Sequence, residues 1–217
     1  MTTFGDEFYR DILEGMAVYA DSAFYRDVLG TLTRHPEPRI ADALNGNQIA
    51  SKRWLADSLF ATVGERVGNV VILGGWMGAL AAVLLHDPRF RIDRVESVDI
   101  DPRCAPVAES LNDTHARTGR FAARTADMLD IDYAAERADL VINTSCEHVV
   151  EFDRWYARVP DGQRLVLQSN DYVACREHVN CVADLAAFRA QAPMRDVRFA
   201  GERPMKRYVR FMLIGQK

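Results

Sequence analysis

The amino-acid sequence predicts an α/β fold: a seven-stranded, mostly parallel sheet with an antiparallel last strand over residues 67–217, preceded by an N-terminal helical cap over residues 1–66. Three observations predict it. From Asn69 onward, short apolar runs alternate with helical stretches, the pattern of buried parallel strands between helices. The first of these runs turns at glycines directly into a helix. The chain also ends on two strands joined by a link too short for a crossover, which forces them antiparallel.

The elements follow in order. Phe8, Ile12 and Met16 recur every four residues, as do Leu55, Leu59 and Val63, the spacing of an amphipathic helix stripe. His35-Pro36-Glu37-Pro38 interrupts the helical pattern, and Asn45-Gly46-Asn47 is a second turn signal. The first strand is Asn69–Leu73, followed by the turn Gly74–Gly78 and a helix over Ala79–Leu85. Arg94–Ile100 is the second strand, followed by a helix from Pro102 to about Thr118. Phe121–Thr125, Ala138–Asn143 and Gln163–Gln168 read as the third, fourth and fifth strands. Asp184–Gln191 is helical, and Val197–Gly201 and Tyr208–Gly215 are the closing pair, with Pro204 in the turn.

At 217 residues the chain suits one domain, or one with a small appended piece, and needs no disulfide or metal to fold. Its net charge of −4, with both signs interspersed, offers no basic stripe, so no nucleic-acid partner is expected. The start, MTTFGDEFYRDILEG, carries acids and an Arg where a secretory segment would be apolar, and the longest apolar run, Ala79–Leu85, is too short for a membrane span. Cys104, Cys146, Cys175 and Cys181 lack paired spacing and read as scattered cytoplasmic thiols; no metal is expected. Oligomeric state is left open, a homodimer included.

The glycine turn is the most informative stretch. A strand that bends at Gly74, Gly75 and Gly78 lets backbone approach a ligand that a Cβ would block. The next strand ends in carboxylates, Asp99 lying 25 residues after Gly74, near the spacing at which an acid binds ribose hydroxyls. Asp101 either joins it or caps the helix starting at Pro102. A nicotinamide dehydrogenase would need an intact G-x-G-x-x-G loop for its pyrophosphate, and that loop is missing.

With LGGWMG after one strand and VDIDP ending the next, the sequence resembles the class I S-adenosylmethionine-dependent methyltransferases over about Gly68 to Lys217. The resemblance implies a Rossmann-like domain holding S-adenosylmethionine through Gly74, Gly75, Trp76, Met77 and Gly78. It also implies Asp99 and Ile100 at the ribose, and Asp127 and Met128 at the adenine. Residues after the fourth strand, beginning at Asn143, would face the sulfonium and the substrate. They are not of the N-P-P-Y type, which argues against a base-amine substrate.

Polar clusters fall at the carboxyl ends of strands, where open α/β sheets bind ligands: Asn143–His148, Gln168–Tyr172 and His178–Cys181. His148 and His178 are candidate bases, Glu147 a candidate to hold a cation or amine, and Tyr172 and Tyr208 candidates to flank the sulfonium. Cys146 reads as a packed thiol. Gln48, Ser51, Lys52 and Trp54 are candidate lid residues. The expected function is methyl transfer from S-adenosylmethionine to a small molecule, an amino acid or secondary metabolite. Two alternatives stay open: aminocarboxypropyl transfer or cyclisation releasing methylthioadenosine, and a non-catalytic nucleoside-binding module.

Overall fold

The structure is a computed structural model that describes residues 4–217, with side chains from Tyr9 onward. Four helices precede the first strand: α1 (Phe4–Tyr19), α2 (Ala23–Arg34), α3 (Pro38–Ala43) and α4 (Gly46–Val63). Pro38 opens α3, where its missing N–H costs no helical bond. Asn45 caps α4 by accepting from the Gln48 N–H at 2.9 Å. The α4 stripe packs as predicted, with Leu55 and Leu59 fully buried and Val63 partly so. The α1 stripe does not: Ile12 and Met16 face solvent, and Phe8 lies outside the described side chains. The residues of α1 that turn inward are Leu13 and Ala17, one position further on, because α2 covers the helix on that side alone.

The remaining elements alternate as β1 (Arg66–Leu73), α5 (Ala79–Leu85), β2 (Arg91–Asp99), α6 (Cys104–Leu111), α7 (Asp113–Ala116), β3 (Phe121–Thr125), α8 (Tyr133–Glu136), β4 (Leu140–Asn143), α9 (Phe152–Arg158), β5 (Arg164–Asn170), α10 (Leu185–Gln191), β6 (Asp196–Pro204) and β7 (Val209–Gln216). The strands form one sheet in the order β3-β2-β1-β4-β5-β7-β6. Only β7 runs against its neighbours, β5 and β6. The helix predicted from Pro102 is two helices, broken at Asn112, whose side-chain amide donates to the carbonyls of Gly78 and Ala108. Pro204 lies inside β6, at the sheet edge, where its lack of a donor is tolerated.

Both faces of the sheet are covered. Residues of α4, α5 and α6 bury one face with Val70, Ile72 and Ile142; α9 and α10 bury the other through Phe152, Trp155 and Phe188. A third cluster joins α2 and α3 to α5 and α6, and a hydrogen bond of 3.0 Å from Thr31 to Ser110 pins α2 to α6. Strand order reverses between β1 and β4, which opens a crevice beyond their carboxyl ends. Among the described residues, no helix is long and apolar enough to cross a membrane.

Candidate active site

The crevice encloses about 780 Å³ at that switch point, within the roughly 300–1,000 Å³ that small ligands use. Its floor is the turn after β1. Gly74, Trp76 and Gly78 all take left-handed backbone (φ 58°, 49° and 76°), which folds the chain back before α5. Asp99 staples this turn to β2: its Oδ2 accepts from the Trp76 N–H at 2.8 Å and its Oδ1 from the Asp101 N–H at 3.0 Å. The glycines first make room for protein, not for a ligand. A Cβ on Gly75 would collide with the Ser97 hydroxyl, one on Gly74 would press on Ser145, and one on Gly78 would meet Ala108 and Asn112.

One side of the crevice is built by Asp99, Ile100, Asp127 and Met128. Ile100 is 67% exposed, a large apolar side chain standing in water beside two carboxylates. Asp127 Oδ1 accepts from the Leu129 N–H, and the Met128 carbonyl accepts from Tyr133, itself held by the Trp155 indole N–H. This wall is therefore anchored in the core. Trp76 packs its side chain toward the helices of the third cluster and still borders the crevice. The arginines nearest the turn, Arg39 and Arg103, are both paired with Asp101, and Arg103 foremost holds its carboxyl below the usual carboxylate range. Among the described residues, the arginines that border this side of the crevice are thus held by a carboxylate.

The other side is polar and largely buried. Because β7 is reversed, its first residues return to the edge where β4 and β5 end, and Arg210 pairs across from Asn170. Glu147, buried in a single helical turn after β4, accepts at Oε1 from Asn170 (2.6 Å) and Arg210 (3.3 Å); its Oε2 has no hydrogen-bond partner. From above, α4 contributes Gln48, Ser51 and Lys52 to the lining. The Lys52 amine donates to Gln48 Oε1 at 2.7 Å, and burial, helped by Arg210, lowers its pKa from 10.5 to about 7. Ser51 donates to Gln168. Trp54 packs edge-on against Phe199 and does not line the crevice.

The predicted residues separate into two groups. Gly74, Gly75, Trp76, Met77, Asp99, Ile100, Asp127, Met128, Glu147 and His148 line the crevice. Gly78, Asn143, Tyr172 and His178 do not. Asn143 is fully buried, its Oδ1 accepting from the Ser145 N–H. Tyr172 stacks on Tyr208 and meets His178 edge-on. His148 and His178 lie with ring centroids 4.6 Å apart, and donor atoms of Glu147, His148 and His178 fall within 4.8 Å of one another. Cys146 is fully buried, and burial pushes its thiol well up in pKa, as a packed thiol requires. Thr144, Ser145 and Gln168, from the predicted polar clusters, also line the crevice, whereas sequence reasoning missed Arg210. The signal for Arg210 was present: it is an arginine inside the apolar run Val209–Gly215.

This sheet order, with a crevice at the switch point and one reversed strand, is the Rossmann-like fold of the class I S-adenosylmethionine-dependent methyltransferases. Among solved structures, the chain is similar to the N-methyltransferase NodS from Bradyrhizobium japonicum WM9 in complex with S-adenosyl-L-homocysteine: 16% identity, 90% of this chain and 99% of that chain covered, TM-score 0.61. It is also similar to geranyl diphosphate C-methyltransferase from Streptomyces coelicolor A3(2) in complex with Mg2+, geranyl-S-thiolodiphosphate and S-adenosyl-L-homocysteine: 15% identity, 76% of this chain and 75% of that chain covered, TM-score 0.56. No protein-family model and no curated protein matches the sequence.

Proposed function

We propose that this protein is an S-adenosylmethionine-dependent methyltransferase acting on a small molecule, with residues 1–66 serving as a cap over the crevice. The observation that carries the reading is the two-sided crevice: a wall of two carboxylates and two apolar side chains, Asp99, Asp127, Ile100 and Met128, and a polar set of Lys52, Glu147, Gln168 and Arg210. The cofactor supplies a methyl group already activated by its sulfonium. Asp99 suits the ribose because a carboxylate whose oxygens each accept one backbone N–H retains lone pairs for a diol. Asp127 suits an adenine amine, with Ile100 and Met128 as apolar faces for the ring.

The residues across the crevice align the acceptor, the main task in an in-line displacement. Lys52, whose pKa burial lowers to about 7, can take the proton that a nucleophilic nitrogen or oxygen releases. Such a base typically contributes about 10²–10⁴-fold to the rate. A crevice roofed by α4 and of this volume suits a metabolite better than a polymer. The cytoplasm is the proposed compartment, in keeping with four cysteines that are all free.

The test is calorimetry with S-adenosyl-L-homocysteine, followed by incubation with S-adenosylmethionine and a fractionated metabolite extract, read by mass spectrometry. S-adenosylhomocysteine as by-product supports methyl transfer. Methylthioadenosine would replace it with aminocarboxypropyl transfer or cyclisation, and cofactor binding without turnover would leave a binding module.

A further inference from the structure

The sequence contains no spaced metal motif, and no metal was expected. The fold nevertheless brings three donors of the right kind to one point. Glu147 and His148 are neighbours in the turn Cys146–His148 after β4, and His178 arrives on the loop after β5. One donor atom from each lies within 4.8 Å of the others. Three features distinguish this cluster from histidines that merely meet at a surface.

The first is the unpartnered oxygen. Glu147 is 1% exposed, and while Oε1 is held by Asn170 and Arg210, Oε2 is buried with nothing bonded to it. An unsatisfied buried carboxylate oxygen is costly and calls for a partner. Arg210 does not serve, since its contact is to Oε1.

The second is the orientation of the imidazoles. Each ring contacts a main-chain carbonyl through Nδ1: His148 that of Glu177, His178 that of Tyr172, both at 3.0 Å. A carbonyl only accepts, so each Nδ1 is the donor, and in the neutral ring the Nε2 is the nitrogen with a lone pair to offer a metal. A hydrogen bond from the far ring nitrogen to a carbonyl is what orients metal-binding histidines. The third is rigidity: the Asn180 N–H donates to the Glu147 carbonyl at 2.9 Å, and the Asn180 side chain to that of Cys146 at 3.0 Å, tying the two loops together.

We infer that Glu147, His148 and His178 form a binding site for one divalent transition-metal ion of the zinc class. Two histidines and a carboxylate are a set such ions favour over magnesium or calcium. Arms of ~2.1 Å place tetrahedral ligands roughly 3.4 Å apart, so donors already within 4.8 Å close by small side-chain rotations. The three-donor set leaves coordination positions open. Glu147 and His148 line the crevice, so a substrate carboxylate, hydroxyl or amine could complete the shell there; that last role rests on the methyltransferase reading, whereas the site itself does not.

The experiment uses the full chain, stripped of metal with a chelator. Zn2+ is measured by equilibrium dialysis with elemental analysis, and Co2+ by visible absorption. The expected result is one ion per chain, bound at least ~10-fold more weakly by His148→Ala and by His178→Ala. His148 is exposed, so its variant should keep the parent's unfolding midpoint and circular dichroism. No stoichiometric ion in the parent chain, unchanged binding in both variants, or a thiolate–cobalt charge-transfer band assigning the ion to Cys175 or Cys181, each overturns the site. Calorimetry with S-adenosyl-L-homocysteine on the same samples keeps the two readings apart: failure there removes the methyltransferase assignment and leaves the metal result standing.

Discussion

Replacing Lys52 with Met should stabilise the protein near neutral pH and flatten its stability–pH curve. In the unfolded chain this amine keeps its proton up to about its ordinary pKa of 10.5; in the folded chain burial, and secondarily Arg210, bring the value to about 7. Between those values the unfolded state binds more protons, so the wild type gains stability as pH rises. Below the folded value both states are protonated, and the cost of burying the cation is present in full. One pKa unit is worth ~1.4 kcal/mol. Lys52 is not wholly out of water, so only part of the shift survives screening; one to two units would make Lys52→Met about 1.5–3 kcal/mol more stable at neutral pH. The gain should fade toward alkaline pH. Any packing benefit of the Met side chain is independent of pH, so the slope isolates the ionisation. Urea unfolding of both proteins from about pH 6 to about pH 9 measures it. Parallel curves would refute the reasoning, because they would show that the amine titrates alike in both states.

Three further perturbations test the site and its supports. Gly78→Ala should cost about 2 kcal/mol or more in unfolding free energy, since φ is 76° and the new Cβ would sit 2.8–3.0 Å from Asn112 and Ala108; a wild-type midpoint would refute it. Asp99→Ala should weaken S-adenosyl-L-homocysteine binding by about 1–3 kcal/mol in calorimetry and also lower stability, because it frees the N–H groups of Trp76 and Asp101. Unchanged affinity would remove Asp99 from the nucleoside wall. His115→Asn should blunt acid unfolding: burial, and next His86, lower the His115 pKa from 6.5 to about 4. The folded state then binds fewer protons in that window, and stability is lost as pH falls through it. Asp27, whose pKa burial raises, acts with the opposite sign and faces His115, so the difference between the two proteins' acid-unfolding curves reports His115 together with its effect on that carboxyl; identical curves would refute the expectation.

The sheet was legible because its strands are apolar runs too short for helices, flanked by glycine and proline punctuation. All seven predicted strands exist, most with ends shifted by one to three residues; β1, for example, begins at Arg66 where its apolar run begins at Asn69. Those early residues pair with β2 while partly solvated, so hydropathy does not mark them. The break at Asn112 was invisible for a related reason: it depends on a carbonyl of Gly78, remote in sequence, that an asparagine amide can reach. In α1, spacing identified a helix but not its inward side, which is decided by where α2 lies.

The crevice lining was legible where residues follow parallel strands and obscure where the last strand contributes them, and the reversal of that strand explains the difference. Asp99 ends a parallel strand, where a spacing rule points to it, and Asp127 comes from the resemblance alone; both line the crevice. Arg210 enters the crevice from the start of β7, and only because that strand runs against β5 does its first turn of chain meet the ends of β4 and β5. Without that reversal Glu147 would be a buried carboxylate beside Asn170 alone. Arg210 pairs with one of its oxygens and adds to the burial that lowers the pKa of the Lys52 amine above it. The strand that closes the sheet thus shapes the charge balance of the site: it holds one cation at Glu147 Oε1, while Oε2 has no hydrogen-bond partner among the described residues and this carboxylate stands beside the imidazoles of His148 and His178.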